Sequence, residues 1–393
     1  MSKIEDLKNK LNRKQRILIF VLIAAVLLAS LSVTVLRNEL IHIVRRASYS
    51  QTNEEPFPHN AQTSSIFLGL DNNLLICTQS QLQVLSPKGT PQVKESISMG
   101  SPALNTAGKY AVLYDVGGQQ LCLVSGDNLA YKNTYPDEVS ILCATVNDRG
   151  WMAVTTREDG YKAVVTVYND IYEPVLSIRL SSRYVTDAVV TPDCRGVYLI
   201  SPGQEGGTFE NTLLYYSLKS EDDPILQVSL GSNVILSVKS AKQCWLLGDK
   251  SLMALDSSGA ILFTYDYGGL YLKAGSLCGK DFALLLLSRT VSGSDGTLLS
   301  IDSLGQEAGR LEIDGQILAI AARQHSVAAL TTATILSMDY RMEDYNSNPN
   351  QQGIRTIALY ADGSSALIGS STAQLYYPTG QRIQNTNEEE TTE

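Results

Sequence analysis

The sequence predicts an all-β fold, a β-propeller of eight blades with seven as the alternative, preceded by one N-terminal transmembrane helix. Three observations carry this: an unbroken apolar run at residues 17–36, short β-type segments from Ser65 onward without a credible amphipathic helix, and two turn signatures that share one period.

The apolar run comes first. Twenty residues in a helix span about 30 Å, the thickness of a bilayer core. Lys3, Lys8, Lys10, Arg13, Lys14 and Arg16 precede it, while Arg37, Arg45 and Arg46 follow. This asymmetry predicts a cytoplasmic basic tail at 1–16 and places the remainder across the membrane, outside the cytoplasm, as a single-pass protein. Ser30 and Ser32 offer signal-peptidase spacing, but the run continues through Val33, Val35 and Leu36, longer than a secretory apolar region. Leu40, Ile43 and Val44 keep a helical spacing, and Glu54, Glu55, Pro56 and Pro58 then mark a linker. A juxtamembrane helix and linker are therefore expected over 37–64, the propeller over 65–381, and a disordered acidic tail over 382–393.

Charge is unevenly distributed. Residues 1–46 carry nine Lys or Arg against Glu5, Asp6 and Glu39, so the formal total of −9 leaves −15 on the remainder. An acidic ectodomain without a basic stripe argues against nucleic acid as a partner. The six cysteines lack metal-site spacing; Cys77, Cys122, Cys143 and Cys244 sit in apolar strand contexts, while Cys194 and Cys278 lie beside glycines in turns.

Strands are expected over residues 73–79, 109–115, 162–168, 195–201, 211–218 and 282–288, each rich in Val, Ile, Leu and Tyr. An apolar residue followed four positions later by glycine occurs at Leu85/Gly89, Leu255/Gly259, Ile301/Gly305 and Tyr376/Gly380. The intervals approximate multiples of about 42 residues, the period of a four-stranded blade. Each glycine is expected to take positive φ between the third and fourth strands. A second signature, as in ALNTAGKYAV and ATVNDRGWMAV, marks the turn between the first two strands. The resulting units are 65–100, 101–137, 138–181, 182–231, 232–268, 269–314, 315–353 and 354–381. The last shows three strands, so a segment between Ala47 and Ser65 is expected to complete it, or less well the stretch after Gly380.

The segments SPALNTAGKYAVLYDVGGQQL and ILCATVNDRGWMAVTTREDGYKAVVTVYND, behind a basic tail and one span, resemble an uncharacterised bacterial family of single-span proteins. That resemblance implies a quinoprotein-like β-propeller ectodomain. It implies no catalytic or binding residue.

Catalytic chemistry finds little support. His42 and His59 precede the propeller, leaving His325, expected on a rim turn away from the channel. Trp151 and Trp245 do not form a repeated docking motif, and no adjacent cysteine pair exists, so neither a quinone cofactor nor a metal is expected. Carboxylates meeting at the channel mouth would permit an enzyme acting on extracytoplasmic glycan, and a ligand sensor is a further alternative. Tyrosine is in excess, twenty against six Phe. Tyr135, Tyr184, Tyr267 and Tyr271, with Arg183, fall in connections between blades. Together with loops 202–211 and 289–296 they form the expected contact surface for a protein or envelope partner. The resulting expectation is a non-catalytic, membrane-anchored binding scaffold.

Overall fold

The computed structural model describes residues 55–61, 65–219, 223–292, 296–379 and 382–385. The expected cytoplasmic tail, the span at 17–36, most of the juxtamembrane segment and residues 386–393 lie outside them. Among the described residues no helix is long and apolar enough to cross a membrane.

The described strands form eight antiparallel sheets, so the count is eight blades and not seven. Blades I to VI occupy residues 66–96, 102–134, 140–180, 187–229, 235–266 and 271–313, each a four-stranded meander in sequence order, and blade VII runs over 317–349 in the same order. The first strand of a blade lies nearest the axis. Asn105, on the first strand of blade II, donates to the carbonyl of Val238 on that of blade V at 2.8 Å. Fourth strands face solvent on one side, as Ile261–Asp266 does with its alternation of more and less exposed residues.

Apolar residues collect into eight buried clusters, each drawn from two adjacent blades. Leu70, Cys77, Val84, Leu113 and Val124 join blades I and II, for example, and Ala328, Ile335, Ile357 and Leu367 join VII and VIII. Second and third strands are buried on both faces because a neighbouring blade covers each. That explains why Phe282–Ser288 is apolar without alternation.

The turn between third and fourth strands follows a fuller rule than glycine alone. Asp256 Oδ1 accepts from the amides of Ser258 and Ala260 at 2.8 and 3.0 Å, and Asp302 Oδ1 accepts from Leu304 and Gln306, both at 2.9 Å. The carboxylate holds the turn while Gly259 (φ 90°) or Gly305 (φ 82°) supplies the left-handed residue. Asn169 and Asp339 hold equivalent turns in blades III and VII, where Tyr172 (φ 66°) and Met342 (φ 57°) stand in the glycine position.

Closure of the ring comes from the N-terminal side. Blade VIII contributes Thr356–Leu359, Ser365–Ile368 and Thr372–Tyr376, and Phe57–Pro58 is its fourth strand, with Phe57 opposite Ala373 and Pro58 opposite Thr372. The bond from His59 N to Ser371 O at 2.9 Å extends the pairing. The propeller therefore begins within the expected linker. The stretch after Gly380 goes elsewhere: Arg382–Gln384, expected as tail, pairs with Asp344–Pro349 as a fifth strand on blade VII. His59, expected in the linker, is buried beside the closing strand. Its ring lies edge-on to Phe67 at 5.4 Å, and desolvation lowers its pKa.

Candidate functional site

The two ends of the disc differ. The upper face carries connections between blades and hairpins joining second to third strands; the lower face carries the other turns. Four first strands share an irregularity near the upper end of the axis. In blades III, V, VI and VII the register slips between Ile141 and Cys143, Ile235 and Ser237, Leu272 and Ala274, and Ile317 and Ala319. Each slip leaves one extra residue: Leu142, Leu236, Lys273 and Leu318 respectively. A bulge inserts an unpaired residue and re-aims its side chain. Leu236 is 57% exposed although it is a leucine in an innermost strand. Lys273 Nζ donates to the carbonyl of Val291, tying one bulge to the neighbouring hairpin.

The residues expected to form the contact surface divide into two groups. Tyr184 and Tyr271 are exposed, at 57% and 49%, as is Arg183, and Lys162 Nζ sits 4.7 Å above the Tyr184 ring. Tyr267 is buried, with its hydroxyl donating to Gly248 O at 3.0 Å. Tyr135 is half-buried, its hydroxyl 2.9 Å from that of Tyr168. These two rings pack between strands, and burial raises both phenol pKa values. The expected loop 202–211 is mainly strand: Gly196–Glu205 and Thr208–Ser217 pair along their full length and present exposed Phe209. Of the loop 289–296, Val291 is exposed, and 293–295 lie outside the described residues.

Asp187 is a titratable group that sequence reasoning missed. It opens the first strand of blade IV, Asp187–Val190, at the upper end beside Cys143 and Tyr114. Burial pushes its carboxyl up to about 7, and no neighbouring carboxylate contributes. The signal was a lone acid opening an apolar strand, but its burial depends on blades II and III. A two-carboxylate glycosidase would set two such groups against one another; Asp187 shows desolvation alone.

At the lower end the turns after the first strands converge on the axis, contrary to the rim position expected for His325. The Asp148 amide donates to Ser240 O at 3.1 Å, Lys280 N to Gln324 O at 2.7 Å, and Arg323 to Gly108 O at 3.0 Å. Short turns bring these termini together because every first strand points the same way along the axis. His325, next to Gln324, is exposed, with its ring 5.9 Å from Tyr340. All six cysteines are free. Among the described residues no three His, Cys, Asp or Glu side chains gather as a metal site.

These strands, clusters and closure define an eight-bladed, WD40-like β-propeller. The chain belongs to DUF5711, a family of unknown function, whose profile matches residues 45–345. No curated protein matches the sequence. Among solved structures it is similar to the C-terminal WD40 domain of Sif2, at 13% identity and TM-score 0.56, covering 84% of this chain and 98% of that one. It is also similar to BamB from Moraxella catarrhalis, at 8% identity and TM-score 0.46, over 84% of this chain and 98% of that one. At these identities the first likeness establishes the fold alone.

Proposed function

We propose that this chain is a non-catalytic scaffold, tethered to a bacterial plasma membrane by residues 17–36, that binds an envelope protein through its upper face. The observation supporting binding is the set of four bulges at the upper ends of innermost strands, at Leu142, Leu236, Lys273 and Leu318, with Leu236 and Leu318 exposed. Exposed Tyr184, Phe209 and Tyr271 extend that surface outward. Large rigid rings in a desolvated patch are the usual anchors of protein interfaces. The tether rests on the apolar run and its basic flank.

The test separates contact from packing. Tyr184→Ala with Phe209→Ala removes exposed rings and is expected to leave the melting midpoint within about 1–2 °C, since exposed side chains carry little stability. The same pair should abolish recovery of the cross-linked envelope partner from cells. Tyr267→Ala, which empties a buried site, should lower the midpoint instead. Undiminished recovery with the double variant would remove the upper face from consideration.

A further inference from the structure

A second site lies at the opposite end of the axis, and its argument does not depend on the upper-face reading. The lower turns border a half-open cavity of about 390 Å³ lined by Thr106, Gly108, Asp148, Lys239, Cys278 and Arg323, with Lys242, Lys280 and Asp281 also on its wall. Four cationic side chains face it against two carboxylates, in an ectodomain whose formal charge is strongly negative.

Two of those cations are deeply buried. Lys239 is 8% exposed and Arg323 is 5% exposed. Lys239 Nζ donates to Gly279 O at 2.7 Å, and among the described residues no carboxylate lies within ion-pair distance of it. Arg323 donates to Gly108 O at 3.0 Å and stands 3.8 Å from the Asp71 carboxylate. Buried charges are ordinarily paired, because desolvation is costly and a carbonyl dipole compensates only partly. Here burial lowers the Lys239 pKa and the Arg323 charge adds to that, while Cys278, Asp281 and Asp148 oppose it only in part. Of the carboxylates on the wall, Asp148 is itself pushed towards its neutral form by burial. With Lys239 and Asp148 both drawn towards neutrality, Arg323, Lys242 and Lys280 still outnumber Asp281 on the wall.

We propose that this cavity binds a small-molecule oxyanion, a carboxylate or phosphoryl group, between Lys239 and Arg323, with Lys242 and Lys280 at its rim. The guanidinium offers a planar fork of donors suited to either group, and the ammonium supplies a point charge beside it. The volume suits a compact solute. The anion supplies the counter-charge that Lys239 lacks and adds to that of Asp71 at Arg323, so its binding stabilises the native state by linkage.

The test uses the full-length chain in mild detergent, with thermal unfolding followed at fixed ionic strength. Sodium phosphate and sodium succinate replace chloride in separate titrations. A saturable rise of several degrees with phosphate alone assigns a phosphoryl ligand, and with succinate alone a carboxylate. Lys239→Met and Arg323→Gln should each abolish the rise. If either variant fails to fold, Lys242→Gln with Lys280→Gln decides: both side chains are exposed, and their loss should weaken the apparent affinity at least several-fold. No saturable rise with either anion, a rise that survives in both buried-cation variants, or unchanged affinity in the rim variant would overturn the proposal.

Discussion

Removing residues 55–61 is expected to lower the melting midpoint of the propeller more than any surface substitution. Phe57 is buried in the cluster that joins blades VIII and I, among Leu74, Ile76, Leu85, Tyr360 and Leu375. It packs so closely over Gly89 that a Cβ there would lie 2.4 Å from its ring. Phe57→Ala alone should cost about 3–5 kcal/mol, the usual range for emptying such a site, or roughly 4–7 °C in a domain of this size. Deleting the segment also strips Thr372–Tyr376 of its outer partner and leaves an open edge in an otherwise closed ring. Acid should weaken this closure further. The His59 pKa is lowered, so the unfolded chain holds more protons than the native one as pH falls below about 6.5. Calorimetry of the wild type and both variants checks these effects; an unchanged midpoint after deletion would show that Phe57–Pro58 does not close the ring.

Asp187→Asn is expected to stabilise the protein at alkaline pH and to do little in acid. The folded carboxyl titrates near 7 and an unfolded one near 3.8, so the native state holds the extra proton between those values. Stability contributed by the neutral carboxyl is complete below about 4 and is lost as pH rises through about 7. A difference of about three units sets an upper limit of roughly 4 kcal/mol at pH 8, reduced because Asp187 keeps partial exposure to solvent. The amide avoids that cost, so the variant should gain about 2–4 kcal/mol at pH 8 and almost nothing at pH 4. Denaturant midpoints at the two pH values measure this directly. Equal effects at both would mean that Asp187 is solvated. Hydrolysis of envelope glycan by wild type, lost in this variant, would favour the enzymatic alternative over the scaffold.

Much of the architecture was readable in the chain because propeller turns impose local chemistry. Gly89, Gly259 and Gly305 take the expected positive φ, and FALLLLS is a strand from its first residue to its last. The repeat was less visible in blades III and VII, where Tyr172 and Met342 replace glycine and the preserved signal is the Asn or Asp three residues earlier. The site was harder to read because it depends on assembly. Tyr267 lies in the connection before blade VI and Tyr271 opens that blade's first strand, yet one ring is buried and the other exposed. The bulged leucines look like ordinary strand residues until a partner strand reveals the slip. Lys239 and Arg323, 84 positions apart, share a cavity only because two non-adjacent blades meet at the axis.

The central claim is that the upper face makes the functional contact. Its most direct measurement is site-specific photo-cross-linking in living cells, with the reactive residue placed at Leu236 or Tyr271 on the upper face, or at Ile171 or Leu304 on lower turns. All four positions are exposed. The account predicts one discrete protein adduct from both upper positions and none from the lower pair. The same adduct from the lower positions, or no adduct from the upper ones, would contradict it.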